Sequence, residues 1–297
     1  MFIIFQSMKN KICLLLIVSV SFLGCTSVET ENIENLNNGE ILKMGHAGLG
    51  FKSIVMPFNP YPTNGISALE KAMEYGADGI EVDLQMTKDS VLVLYHDLTL
   101  EGSTNFEGCI QDKNWDEIKE AKYKMGFFYD LFHSDKILRL DSLLAWCQQF
   151  ETYPHLHFDT RIHNVCAEGQ PYSTEIGSQL LQMLNAYNVP EDRILIISST
   201  RAFVEYLQSL DHPYDLSYEE TVNFEKGLKY VLDRDLDYLT IKPKLITANQ
   251  VAEAHRNNVK IVTFGAKSRS GNAKLIRLNP EVIHSNNVKI LIDLLED

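Results

Sequence analysis

Glu81 and Asp83 interrupt the apolar run Ile80-Glu81-Val82-Asp83-Leu84 at alternate positions. Successive side chains on a strand point to opposite faces, so the two carboxylates share one face and Ile80, Val82 and Leu84 the other. Two carboxylates held side by side repel each other and lose hydration unless something positive lies between them. A hard divalent cation meets that need, since Ca²⁺ or Mg²⁺ takes carboxylate oxygens at about 2.0–2.6 Å. Other residues able to do chemistry end short apolar runs. His46 closes "ILKMGH", His96 follows "VLVLY", and Asp159 and Arg161 close "HLHFDTR". Singly, each has a bland explanation: a hydrogen-bonded imidazole, or a helix cap for Asp97. Together, two imidazoles, three carboxylates and a guanidinium suit metal-assisted attack on a phosphate ester. The imidazoles would serve as acid and base, and the metal and the guanidinium would hold the oxyanions.

The elements that must carry these residues alternate. From residue 41 onward, short apolar strands (41–46, 80–84, 91–95, 155–161, 193–198, 214–217, 238–242, 260–265, 281–285) are separated by helical patterns such as 67–76, 140–150, 201–210 and 247–258. Ser67 and Glu70 form a capping-box pattern at the start of the first helix, and Gly76 stands where a left-handed C-terminal residue belongs. Strands alternating with helices imply a parallel sheet. Eight such units over about 250 residues is the size of a (β/α)₈ TIM barrel, with 91–95 as an extra strand and 98–136 as an insertion after the second or third strand. An open doubly wound sheet is the competitor, but no G-x-G-x-x-G follows the first strand. In a parallel barrel both strand faces are covered, so a solvated face cannot explain Glu81 and Asp83. The carboxyl-terminal mouth can, because barrel active sites lie there.

The chain has 297 residues, 45% hydrophobic, with a net charge of −13. That charge excludes a strongly basic nucleic-acid surface, and an anionic substrate would need a local positive feature. "MKNKICLLLIVSVSFLGC" has a basic start, an apolar run shorter than the ~20 residues of a membrane span, and a small residue before Cys25. It reads as a bacterial lipoprotein signal over residues 1–25, with Cys25 lipidated. Residues 26–39 read as a flexible tether and 40–297 as the barrel domain. The expected location is the cell envelope, membrane-anchored through the N-terminal lipid. Cys109, Cys147 and Cys166 remain for the domain, an odd count that allows at most one bridge.

The block "GADGIEVDLQMTKDSVLVLYHD", preceded by "GHAG", resembles the glycerophosphodiester phosphodiesterase family. The family pattern is His-Arg-Gly at the first strand, then G-A-D-x-I-E-x-D-V-x-x-T-x-D-G-x-x-V-x-x-H-D. Agreement extends more loosely through "ILRLDSLLAW" and "KIVTFG". The resemblance implies a (β/α)₈ barrel with an insertion after the His-Asp pair. It also implies metal-dependent hydrolysis of glycerophosphodiesters to glycerol 3-phosphate and an alcohol. By position, His46 and His96 match the catalytic histidines, Glu81 and Asp83 metal carboxylates, Asp159 a glutamate ligand, and Arg161 a phosphate-contacting lysine. One histidine would deprotonate a substrate hydroxyl that attacks phosphorus, giving a cyclic phosphate. The other would protonate the leaving alcohol, and water would open the ring. Ala47 stands where the family has arginine, Thr63 where it has an acidic residue, and Phe264 where it has tryptophan. The implied cofactor is one divalent cation, Ca²⁺ or Mg²⁺.

Three other readings compete. One is a phospholipase D-like lipid phosphodiesterase on the same barrel, and another is a non-catalytic barrel that binds sugars or lipid headgroups. The third is an amidohydrolase-type His-x-His site at His155 and His157. It lacks support from the late strands, which offer His284 and no matching aspartate. The leaving alcohol and the oligomeric state are not legible in the chain.

Overall fold

The computed structural model describes residues 34–51, 59–124, 130, 134–162, 166 and 172–296. The expected signal segment and Cys25 lie outside the described residues. Strand β1 (Leu42–His46) is followed by helix α1 (Ile66–Glu74), then by β2 (Gly79–Met86) and β3 (Leu92–Leu94). A short helix α2 (Trp115–Ile118) and β4 (Leu138–Arg139) lead into α3 (Leu140–Cys147). Regular alternation then takes over: β5 (His155–Thr160), α4 (Tyr172–Ala186), β6 (Ile194–Ser198), α5 (Arg201–Gln208), β7 (Asp215–Glu220), α6 (Phe224–Asp233) and β8 (Tyr238–Ile241). The chain finishes with α7 (Ala248–Arg256), β9 (Lys260–Phe264), α8 (Arg269–Ile276), β10 (Val282–Ser285) and α9 (Val288–Glu296).

Eight parallel strands form a closed barrel in the order β1-β10-β9-β8-β7-β6-β5-β2, and the β1–β2 pairing completes the ring. Closure follows from strand chemistry. Outward residues such as Ile80, Val82, Leu84, Phe158 and Ile196 pack under the helices, whose apolar stripes (Phe203, Val204 and Leu207 on α5) face them. Burying one such side chain stabilises the fold by about 1.5–3 kcal/mol. Inward residues Met44, Leu195, Ile197, Val262 and Val282 fill the barrel axis as a separate cluster. The register pairs His46 with Glu81, Glu81 with His157, and Asp83 with Asp159. The chemistry-bearing side chains therefore share the inward parity at the strands' carboxyl ends.

The stretch after β2 adds an antiparallel flap. β3 pairs with the end of β2, and β4 pairs with β3. Val93, Tyr95, Leu100, Ile110, Ile118 and Tyr123 give the flap its own apolar cluster. Cys109 in the flap is bridged to Cys166, beyond β5, while Cys147 is free and buried. Closing a loop across a sequence separation of 57 residues stabilises by about 4 kcal/mol in the chain-entropy picture.

One local expectation is corrected. The N-cap of α1 is Gly65, not Ser67, and no side chain caps it. Asn64, which precedes the cap, takes a left-handed conformation (φ 60°) that lets its amide grip Asp83, and this sets where the helix begins. Gly76, at φ 91°, does take the left-handed turn after α1. Of the expected tether, only residues 34–39 are described. Asn35 is buried and donates to the carbonyls of Glu40 and Pro280, and the Leu36 amide donates to Glu281 at 2.7 Å. Residues 35–39 are thus fastened to the barrel's amino-terminal end, because a buried asparagine and a buried carboxylate need those hydrogen bonds. Among the described residues, no helix is long and apolar enough to cross a membrane.

Candidate active site

The turn after β1 is tight. Ala47 (φ 47°) and Gly48 (φ 86°) both adopt left-handed backbone, and a Cβ on Gly48 would lie 2.9 Å from the Ala68 backbone carbonyl carbon. This turn aims the Ala47 amide at Glu81, to which it donates at 2.8 Å. The His46 imidazole sits directly above the same carboxylate, Nε2 lying 3.7 Å from Oε2. Nδ1 of His46 lies 2.7 Å from the side-chain oxygen of Asn286, just beyond β10. An amide oxygen only accepts, so Nδ1 carries the proton and Nε2 keeps its lone pair. Burial lowers the His46 pKa to about 4, with Asp83 opposing the shift, so the ring is neutral at pH 7.

His96 is held differently. Gln85 on β2 donates to the carbonyls of Tyr95 and Asp97, straddling the histidine and fixing the backbone that carries it. Its Nδ1 pairs with Asp97 at 2.9 Å, and Ser103 donates to the other Asp97 oxygen. The His96 hydrogen bond leads the causes that hold the Asp97 carboxyl below its usual range. Phe51 lies edge-on to both imidazoles, its ring centroid 5.3 Å from His46 and 4.6 Å from His96.

Between the imidazoles, Glu81, Asp83 and Asp159 each present an oxygen within 4.8 Å of the others. Asn64 donates to Asp83 at 2.8 Å and accepts from its backbone amide at 3.0 Å, locking the rotamer. Burial raises the Glu81 carboxyl well above the carboxylate range, and Asp83 and Asp159 add to the shift. Burial also raises Asp159, to about 7, although Arg161 opposes it. Three hard oxygen donors gathered in one cluster, with burial opposing the ionisation of Glu81 and Asp159, fit a divalent cation such as Ca²⁺ or Mg²⁺.

His46, Phe51, Glu81, Asp83, His96 and Asp159 line one cavity of about 170 Å³, together with Arg161, Glu219, Lys242, Phe264 and His284. Arg161, expected to meet substrate phosphate, has its guanidinium on Asp83 at 2.8 Å and on Asp159 at 3.5 Å. Its stem stands one residue beyond β5, where those carboxylates are its immediate neighbours and its charge compensates theirs. His157 and His284 are both buried and pair across the barrel floor at 2.8 Å, with burial lowering His157 to about 3. His155 lies at the strand's other end against Arg193. A His-x-His metal pair is thereby absent, because the two rings are held by different partners.

The six residues singled out from the sequence (His46, Glu81, Asp83, His96, Asp159 and Arg161) converge in this cavity. Sequence reasoning missed Glu219 and Lys242, and also Asn64 and Asn286, which hold the others, and it weighed His284 only for the competing His-x-His reading. A signal existed for the first two. Asp215, Ser217 and Glu219 on β7, and Tyr238 and Thr240 on β8 with Lys242 one position beyond it, keep the alternate-residue parity of Glu81 and Asp83. Reading β7 as ending at Ser217 left Glu219 off the strand.

A closed parallel barrel with carboxylates, imidazoles, a guanidinium and an ammonium gathered at its carboxyl mouth defines a (β/α)₈-barrel protein with a polar, charge-lined mouth. The chain belongs to the glycerophosphoryl diester phosphodiesterase family, which it matches over residues 58–290. It is 36% identical over 139 residues to a glycerophosphodiester phosphodiesterase of Caldanaerobacter subterraneus, covering 46% of this chain and 52% of the relative. It is 28% identical over 162 residues to one of Bacillus subtilis, covering 52% of each. The chain thus spans about half the length of the curated relatives it matches. Solved structures extend the likeness of fold. An Oleispira antarctica phosphodiesterase, in complex with its product sn-glycerol-3-phosphate, superposes with TM-score 0.73 at 18% identity, over 86% of this chain and 96% of its own. A glycerophosphodiester phosphodiesterase from Parabacteroides distasonis does so with TM-score 0.67 at 19% identity, over 86% and 98%.

Proposed function

We propose that this protein hydrolyses glycerophosphodiesters to glycerol 3-phosphate and an alcohol, with His46 as base and His96 as acid. The observation that carries the reading is the asymmetry of the two imidazoles in one cavity. His46 is neutral, with a lone pair directed inward, whereas His96 is more exposed and paired with a carboxylate. His46 Nε2 takes the proton of the glycerol hydroxyl next to the phosphodiester, and that oxygen bonds to phosphorus. The bond from phosphorus to the alcohol oxygen breaks, and His96 delivers a proton to that oxygen. The product is a five-membered cyclic phosphate. In the second half the roles reverse: water adds to phosphorus as His96 takes its proton, and His46 returns a proton to the ring oxygen. General acid–base catalysis of this kind contributes about 10²- to 10⁴-fold.

Glu81, Asp83 and Asp159 would hold a divalent cation, which when bound neutralises charge on the phosphoryl oxygens. Asn286 keeps His46 in its base tautomer, and Asn64 keeps Asp83 turned toward the carboxylate cluster. The test is a metal-depleted preparation assayed on a panel of glycerophosphodiesters, with Ca²⁺, Mg²⁺ or Mn²⁺ added back. Release of glycerol 3-phosphate that stops with chelator and with His46→Gln or His96→Gln is expected. Turnover indifferent to chelator sinks the cation assignment. Accumulation of a cyclic lipid phosphate from intact lysolipid favours the phospholipase D-like alternative instead. The leader ending in Gly24-Cys25 supports attachment to a bacterial envelope membrane through a lipid on Cys25. Fatty-acid labelling that persists in Cys25→Ser overturns that part.

A further inference from the structure

We propose that Lys242 binds the phosphoryl oxygens of the diester and of the phosphomonoester product, a role that rests on the phosphodiesterase reading. The residue stands one position beyond β8, at the inward parity of Tyr238 and Thr240, and lines the same cavity as the two imidazoles. Its Nζ lies 5.8 Å from the centroid of Phe264, and the same ring packs at 5.6 Å against His46. The ammonium therefore shares a neighbour with the proposed base and borders the space where phosphorus must sit.

Charge supplies the second argument. The cavity holds four carboxylates, Glu81, Asp83, Asp159 and Glu219, against two fixed cations, Arg161 and Lys242. The Arg161 guanidinium is committed to Asp83 and Asp159. The turn after β1 offers no cation, because a fully buried Ala47 follows His46 there. Among the described residues, the Lys242 ammonium has neither a hydrogen-bond nor an ion-pair partner. Glu219 is its nearest electrostatic competitor, but burial raises that carboxyl even with Lys242 opposing, which weakens its claim on the ammonium. A chain of net charge −13 that admits an anion to an acidic mouth needs an uncommitted positive group there, and a lysine on a flexible stem follows a moving phosphoryl group well.

A purely structural role, with the ammonium bracing the Phe264 ring, would leave ligand affinity unchanged. The experiment is calorimetric binding of sn-glycerol 3-phosphate and of inorganic phosphate to the cation-loaded protein, comparing wild type with Lys242→Met, Lys242→Gln and Lys242→Arg. Melting curves confirm that each is folded. Loss of a charge-assisted contact predicts about 10- to 100-fold weaker binding in Lys242→Met and Lys242→Gln. Lys242→Arg should recover most of the affinity, and KM should rise more than kcat falls. Unchanged affinity in both neutral variants overturns the proposal, as does an arginine variant as weak as the neutral ones. A wild type that turns over no phosphodiester, yet binds glycerol 3-phosphate through Lys242, overturns the function proposed above while leaving this assignment standing. Normal turnover with Lys242-independent binding does the reverse.

Discussion

Among the described residues, one glutamate–histidine pair lies at each end of the barrel, and the two are built to opposite specifications. At the amino-terminal end, Glu281 and His255 are 3.0 Å apart. The Leu36 and Ile261 amides fill both Glu281 oxygens at 2.7 and 2.6 Å. At the mouth, Glu81 and His46 are 3.7 Å apart, and Glu81 accepts one backbone hydrogen bond, from Ala47, among the described residues. Two further carboxylates crowd it. The contrast lies in the carboxylates, since the His255 ring nitrogens themselves make no hydrogen bond among the described residues: a buried carboxylate with both oxygens supplied fastens a fold, whereas one left short of partners marks a place where something must arrive from outside. The same two residue types thus act as a rivet at one end and a receptacle at the other.

That contrast can be broken most sharply by exchanging the histidines' fates. His46→Gln should lower kcat by about 10²- to 10⁴-fold while leaving the melting temperature nearly unmoved. His255→Gln should do the opposite, and a His46→Gln enzyme with wild-type kcat would end the comparison. Next in size, Glu281→Ala strands His255 and two amides. Urea unfolding should show a loss of about 3–5 kcal/mol, with kcat per folded molecule unchanged.

A smaller effect concerns pH. With its pKa raised to about 7, Asp159 is protonated below that pH and ionised above it, so an arriving cation must displace the proton as pH falls. Calorimetric affinity for Ca²⁺ or Mg²⁺ should therefore weaken by about tenfold per unit below pH 7. An affinity flat from pH 8 to 6 contradicts the crowded-carboxylate account. The smallest effect has the most telling sign. Glu81→Gln removes a desolvated, repelled charge and should stabilise the cation-free protein by about 1 kcal/mol while abolishing cation binding. Glu281→Gln should destabilise under the same conditions.

These two glutamates also show where sequence reading works. Glu81 was legible because Asp83 repeats it two residues on, within an apolar run that offers no wet face. Glu281 begins "EVIHS" with no such repeat, and nothing local says that His255 and Leu36 will meet it. Arg161 was legible as a cation at a strand end, but its engagement with Asp83 depends on β5 lying beside β2. The cap of α1 was misplaced for a related reason, since Asn64 is drawn to a carboxylate 19 residues away.

The sequence by itself determined the alternation of strands and helices, the inward parity of Glu81, Asp83 and Asp159, and the placing of His46 and His96 at strand ends. All of these are local, set by the two-residue period of a strand and by turn residues close by. Only the tertiary structure decided that Asn286 fixes the His46 tautomer across 240 residues. It also decided that, among the described residues, Lys242 brings an uncommitted ammonium to the mouth, and that Glu81 is left short of partners while Glu281 is not. Those outcomes follow from barrel closure: the register between β1, β2 and β10 assigns neighbours that no spacing in the chain records.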